Sequence, residues 1–286
     1  MQVPMGGPGE FVVVATPIGN LEDLSPRARA VLASADVVYC EDTRRTRVLF
    51  SAFGLTPRGR LRSLREHNEM TESVEVVERV ASGAVVALVS DAGTPGISDP
   101  GRRVVAAVAE AGLRVTTTPG PSAVVAALSV SGLDTERFVM EGFVPRRGGD
   151  RRTRFAQWAT EARTIVFYES PQRLVATLGE LAAMFGDRRV VVARELTKLH
   201  EELVRGSLRE VAGHWAEGEV RGEVVVVLEG AVPAAIPETA VREALERHLV
   251  AGETVRDAVS AVADELRVAH RIAYDVALQI RSERGA

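Results

Sequence analysis

Over residues 11–118, short β-branched runs take turns with helix-patterned stretches, one of each at a time. Residues 11–15 (FVVVA), 37–40, 61–64, 85–89 and 114–118 read as strands. Helix patterns lie between them at 25–35, 43–53, 71–82 and 100–111. Strands separated by single helices pair in parallel through right-handed crossovers. The runs do not alternate with polar residues, so both faces of the sheet are covered. Ser25-Pro26 supplies a helix cap followed by proline at the first helical position. Gly112 stands where a glycine ends a helix. The fold class is α/β.

The stretch TTTPGPSA, residues 116–123, interrupts this order and reads as a stiff hinge. Beyond it, strand patterns at 137–140, 164–168, 190–193, 202–205 and 224–228 alternate with helices at 153–162, 172–185 and 208–217. Short spacings here allow antiparallel pairs, which predicts a mixed α/β layer. After AVPAAIP only helical patterns remain, over 238–284, broken near Gly252 and again before His270. The expected organisation is an N-terminal α/β domain over 11–118, a mixed α/β domain over 119–231 and a small helical module over 237–284.

Hydrophobic residues make up 46% of the 286 and charged residues 26%, as in an ordinary water-soluble domain. A single cysteine, Cys40, excludes an internal disulfide and a cysteine-rich zinc site. The first ten residues, MQVPMGGPGE, lack the basic-then-apolar layout of a signal sequence, and no apolar run is long enough to span a membrane. A cytoplasmic protein is expected. The net charge of −4 means that any nucleic-acid contact must be local. Basic residues are almost all arginine, and Lys198 is the sole lysine.

Three unusual loops follow strands: TPIGN (16–20), SDAGTPGISDPG (90–101) and TPGPSA (118–123). Open α/β sheets bind ligands at the carboxyl ends of their strands, so three such loops imply one shared crevice. No Gly-Lys-Ser/Thr phosphate loop is present, and ATPIGNLEDL does not supply the dinucleotide fingerprint. The expected ligand carries little phosphate and is held by backbone groups and small side chains.

The motifs ATPIGNLEDLSPRA, EDTRRTRVL, HNE, LVSDAGTPGISDPG, PGPSA, FYESPQR, ARELTKLHEE and GEVVVVLEG occur in this order. They resemble the bacterial 16S rRNA (cytidine-2'-O)-methyltransferases of the tetrapyrrole methylase superfamily, from residue 11 to residue 230. The resemblance implies two α/β domains with S-adenosylmethionine in the cleft between them. Carried over position by position, it places Pro17, Ala92, Gly93, Thr94, Ile97, Ser122, Ala123, Glu169 and Leu196 at the cofactor. Thr94 stands where tetrapyrrole-modifying relatives have an aspartate, which points to the rRNA branch and away from a tetrapyrrole substrate. The implied reaction is 2'-O-methylation of a cytidine, cytidine 1402, in 16S rRNA of the 30S subunit, by a homodimer. A tetrapyrrole methylase and a non-catalytic RNA-binding or ribosome assembly protein are the alternatives.

Such a transfer gains from a base that takes the hydroxyl proton. Lys198, Glu195, Glu41 and Asp42 are the candidates, the lysine only if its pKa is lowered. Glu41 and Asp42 follow the second strand, where a helix cap is the competing role. His67, Asn68 and Glu69 either orient a ribose or cap the next helix, with the cap preferred. Arg146, Arg147, Arg151 and Arg152 surround a flexible glycine pair, and Arg44, Arg45 and Arg47 form a second cluster. Arginine forks suit phosphate, so both clusters are expected to hold RNA. Phe167 and Tyr168 read as core. The five histidines are scattered, and no metal is expected.

Overall fold

The structure, a computed structural model, describes residues 9–56, 60–232 and 236–284. The signal-sequence expectation rests mostly on residues 1–8, which lie outside the described residues. The chain divides into two compact units between Ala231 and Val232, and both sheets belong to the first.

The first sheet contains β1 (Glu10–Val14), β2 (Val37–Cys40), β3 (Arg60–Ser63), β4 (Val85–Val89) and β5 (Arg114–Thr118). Their order is β3-β2-β4-β1-β5, and every pair is parallel. The crossovers are α1 (Pro26–Ser34), α2 (Thr43–Ala52), α3 (Glu69–Ala81) and α4 (Arg102–Glu110). Ser25 caps α1 by accepting from the Ala28 amide, with Pro26 at its first position. Successive strand residues point to opposite faces. Val12 and Val14 join Leu32 and Phe50 on one side, while Phe11 joins Val76, Val80, Val104 and Val108 on the other. Each such buried side chain contributes about 1.5–3 kcal/mol.

The stretch read as a hinge is shorter than expected, because α5 (Ala123–Ser131) starts inside it. Ser122 caps α5, and Gly132, at φ +72°, ends it. The run AVVAALSVS has no polar face, so its helical period is invisible in sequence. Val124, Ala127 and Leu128 bury it against Val166, Val191, Val225 and Val227 of the second sheet.

That sheet holds β6 (Phe138–Phe143), β7 (Thr164–Glu169), β8 (Arg189–Arg194), β9 (Glu202–Ser207) and β10 (Val224–Leu228), ordered β6-β7-β10-β8-β9. Only β6 and β7 are parallel. Its other face packs on α6 (Gly148–Thr160), α7 (Pro171–Phe185) and α8 (Leu208–Ala216) through Phe155, Trp158, Leu174, Leu178 and Trp215. The glycine pair expected to be a flexible loop is instead the first turn of α6.

The second unit is helical: α9 (Glu238–Val250), α10 (Val255–Leu266) and α11 (His270–Arg284) around Val241, Leu245, Val259, Val262, Ala273 and Ile280. Left-handed backbone at Gly252 (φ +89°) and Arg267 (φ +51°) makes the two breaks.

Glu69 neither orients a ligand nor caps α3. Its buried carboxylate accepts from the amides of Gly101 (2.9 Å) and Arg103 (2.7 Å), capping α4 from a distance in sequence. Asn68 likewise closes the turn before α3, accepting from the Arg65 amide and donating to the Ser63 carbonyl. Glu69→Ala leaves two amides without acceptors and is expected to cost about 2 kcal/mol or more. A thermal melt of the variant should fall by roughly 4–8 °C; an unchanged melt contradicts this role.

Candidate active site

The loops after β1, β4 and β5 are stitched together by backbone. Thr16 and Gly93 exchange hydrogen bonds in both directions, at 2.9 and 3.1 Å. The Thr16 hydroxyl also donates to the Ser90 carbonyl (3.2 Å), and the Thr94 hydroxyl donates to the Pro121 carbonyl (3.1 Å). Gly93 sits at φ +83°, a left-handed conformation that favours glycine. The three loops therefore form one continuous rim at the carboxyl ends of the parallel strands.

A cavity of about 440 Å³ opens beside that rim and is closed on its other side by the second sheet. This is ample for a small organic ligand. Ala92, Gly93, Thr94, Ile97, Ser122, Ala123, Glu169 and Leu196 line it. Pro17 does not; it lines a neighbouring pocket of about 180 Å³. The Glu169 carboxylate is fully occupied: it accepts from the Ser170 amide (2.7 Å) and the Thr177 hydroxyl (2.7 Å), and pairs with Arg173 (2.5 Å) and Arg151 (3.8 Å). Its role is to fix the entry to α7, so a direct contact between that carboxylate and a cofactor is not what this arrangement offers.

Carboxylates dominate the cavity's charge. Glu41, Asp91, Asp99 and Glu223 line it, with Arg45 as the facing cation. Burial, then the negative charge of Glu41, raises the Asp99 pKa to about 6, against a hydrogen bond from Ser90 that lowers it. Burial, then Asp91, also raises that of Glu41. Asp91 accepts from the Asp42 amide (3.1 Å) and pairs with Arg45 at 3.5 Å.

The other proposed bases are held in the wrong state. Asp42 caps α2 through the Arg44 amide (2.8 Å) and pairs with the Arg44 side chain. These bonds pull its pKa down to about 2. Lys198 donates to Glu195 (2.8 Å) and Glu223 (3.1 Å). Partial burial works to lower its pKa, but the two carboxylates outweigh it and the net shift is upward. Burial would raise the Glu195 pKa, yet Lys198 and the Glu223 amide bring it down. Among the four, only Glu41 faces the cavity with an elevated proton affinity.

Arg151 is not available to RNA. It is buried, donates to Glu180 (2.9 Å) and Thr177 (2.9 Å), and stacks over Phe155. The sequence places it among exposed arginines, but α6 starts early and turns it inward. Arg146, Arg147 and Arg152 are exposed, as are Arg44, Arg45 and Arg47 on α2.

Sequence reasoning missed the roles of Asp91 and Asp99, although both stand in the glycine-rich loop. It also missed Tyr168. Strand alternation sends Phe167 into the helical core and Tyr168 to the cavity, where Phe143 lies against it with ring centroids 5.2 Å apart. Among the described residues, no group of His, Cys, Asp and Glu is arranged to hold a metal.

A parallel sheet whose strand-end loops meet a second, mixed sheet is the build of a methylase class. Residues 10–212 match the family described as Tetrapyrrole (Corrin/Porphyrin) Methylases, and the chain belongs to that family. Its length is similar to proteins named Ribosomal RNA small subunit methyltransferase I. The one from Mycobacterium tuberculosis (strain CDC 1551 / Oshkosh) is 48% identical, covering 97% of each chain. The one from Thermotoga maritima is 43% identical over 78% of this chain and 99% of its own. In fold, the chain is similar to the uroporphyrin-III-C-methyltransferase of Thermus thermophilus (TM-score 0.54, 21% identity, 77% of this chain and 94% of that one). It is also similar to a diphthine synthase (TM-score 0.58, 19% identity, 77% and 89%).

The elevated Asp99 pKa has a stability signature. The native state prefers the neutral acid, so this preference is fully present below the ordinary carboxyl pKa and is lost as pH rises through about 6. Asp99→Asn carries no charge to bury. Its melting temperature is expected to match wild type near pH 4 and exceed it at about pH 8. Equal gaps at both pH values contradict a carboxylate held in this environment.

Proposed function

We propose that this chain transfers a methyl group from S-adenosylmethionine to the 2'-hydroxyl of a cytidine in 16S rRNA, cytidine 1402, on the 30S subunit. The observation that carries the proposal is the shared crevice: three strand-end loops bonded to one another around a cavity lined by small residues and carboxylates. Relatives at 40–48% identity along nearly the whole chain are named for small-subunit rRNA methylation. The tetrapyrrole-modifying structures share only the fold.

The cavity suits the donor. S-adenosylmethionine supplies an electrophilic methyl group on a cationic sulfonium. Glu41, Asp91, Asp99 and Glu223 complement a positive charge, and no phosphate cradle is needed. The main chain of Ala92, Gly93 and Thr94 can approach closely because Gly93 carries no side chain, while Ile97 and Leu196 offer apolar surface. Enclosure between the sheets excludes water and orients the reacting groups, which contributes several kcal/mol in such transfers, roughly 7–11 at best. Asp99 and Glu41, with raised proton affinities, receive the hydroxyl proton. Lys198 stays charged and holds Glu195 and Glu223 in place. The exposed arginines of α2, with Arg146, Arg147 and Arg152, hold the phosphates. A cytoplasmic homodimer completes the reading and rests on the family resemblance alone.

The test is transfer of labelled methyl from S-adenosylmethionine to purified 30S subunits lacking the modification, with nucleoside analysis of the product. Label in 2'-O-methylcytidine supports the proposal, and no label in 16S rRNA overturns it. Gly93→Val puts a β-branched side chain on left-handed backbone (φ +83°), with a Cβ that would touch Ile18 at 3.5 Å and further atoms directed at the same wall. It is expected to weaken calorimetric binding of the donor at least tenfold. Replacing Arg44, Arg47, Arg146 and Arg147 with alanine should instead leave donor binding intact, weaken transfer to 30S and reduce its salt dependence.

A further inference from the structure

Beside the main cavity lies the second pocket, about 180 Å³, formed by the β1 loop, the start of the β4 loop and α2 residues running from buried Thr46 to exposed Val48. Arg45 and Asp91 belong to the walls of both, so the Arg45–Asp91 pair is the partition between them. The pocket is far too small for the ligand the main cavity takes. Its rim is apolar and open: Val48 is 70% exposed and Leu21 47%. Its inner wall is polar, with Thr16, Ser90 and the Asp91 carboxylate. Val48 lies on the solvent arc of α2 together with Arg44, Arg45 and Arg47, one turn or less away.

We infer that this pocket takes the base of the acceptor nucleotide, splayed out of its RNA, and that Asp91 reads it as a cytosine. The inference rests on the reading of the main cavity as the site of methyl transfer to rRNA. Each part of a nucleotide meets a matching surface. A flat ring fits between the apolar side chains of Leu21 and Val48, as RNA-binding sites use apolar or aromatic faces for unstacked bases. A carboxylate at the inner wall accepts from the exocyclic amine of cytosine, which uracil replaces with a second acceptor. The ribose of a base so placed falls at the Arg45–Asp91 partition, where the two cavities meet. The flanking phosphates fall along the arginines of α2. The same arrangement explains why a valine and a leucine stay exposed beside three arginines.

The experiment compares wild type, Val48→Trp and Asp91→Asn on 30S subunits carrying cytidine or uridine at the acceptor position, with donor affinity measured separately by calorimetry. Val48→Trp fills the pocket from a solvent-exposed position. It is expected to lower kcat/KM for cytidine subunits at least tenfold, mostly through KM, while donor affinity and melting temperature stay within twofold and a degree or two of wild type. Val48→Ile should retain activity. Wild type should favour cytidine over uridine at least tenfold, and Asp91→Asn should narrow that ratio. Unchanged kcat/KM in Val48→Trp overturns the pocket assignment, and an unchanged ratio in Asp91→Asn overturns the base reading. A wild type that methylates no 16S rRNA at all overturns the underlying reaction instead, so the two failures are distinguishable.

Discussion

The paired hydrogen bonds between Thr16 and Gly93 set the geometry on which the site depends. β1 and β4 are adjacent and parallel, so their outgoing loops would ordinarily part and follow their own helices. The bridge makes the loops run alongside each other for one residue pair before they diverge. The backbone at position 93 is left-handed, which disfavours any side chain there, and a Cβ would stand in contact with Ile18 at 3.5 Å. Thr94 then reaches the Pro121 carbonyl and draws in the third loop. A cavity with fixed walls follows from three loops that constrain one another, without a long rigid element.

Two buried glutamates support this rim from below. Glu69 holds the amides where the β4 loop enters α4, and Glu169 holds the amide and arginine where β7 enters α7. One stands behind the first sheet's contribution to the cavity and the other behind the second's. Buried carboxylates are costly unless they are hydrogen-bonded, and here one oxygen of Glu69 takes two amides while both oxygens of Glu169 are engaged by an amide, a hydroxyl and guanidinium groups. Removing either acceptor would free a loop end whose position the cavity needs. Glu69 therefore serves the site from outside the cavity, and Glu169 from its wall with its carboxylate already engaged.

The strand and helix order of the first half was legible because its helices have a polar face and its strands are β-branched. The convergence of three strand-end loops was legible from their glycines and prolines together with the parallel topology. α5 was not, because its exposed face carries Val125 and Val130 instead of charged residues, so no polar stripe marks a period. Arg151 was misplaced for a related reason: charge in a sequence reads as surface, and only the Glu180, Thr177 and Glu169 partners, distant along the chain, turn it inward. The raised proton affinity of Asp99 was hidden too, although Glu41 was among the candidates. Whether an acid is a cap, as Asp42 is, or a half-buried group with a raised pKa, as Asp99 is, depends on neighbours that spacing does not encode.

Charge is divided by depth. Acids gather in the cavity and arginines stand on α2 and at the start of α6, so a protein of net charge −4 keeps its basic surface next to its acidic centre. On the proposed reaction, this division attracts a cationic donor inward and keeps a polyanionic acceptor at the arginine-bearing rim. A sugar hydroxyl is neutral and can cross that boundary; the phosphates on either side cannot. The Arg45–Asp91 pair, at 3.5 Å, joins an acid of the cavity to an arginine of the exposed α2 cluster. For the proposed reaction, this field disfavours the phosphate oxygens and leaves the choice among neutral groups, the ribose hydroxyl and the base atoms, to shape and hydrogen bonding.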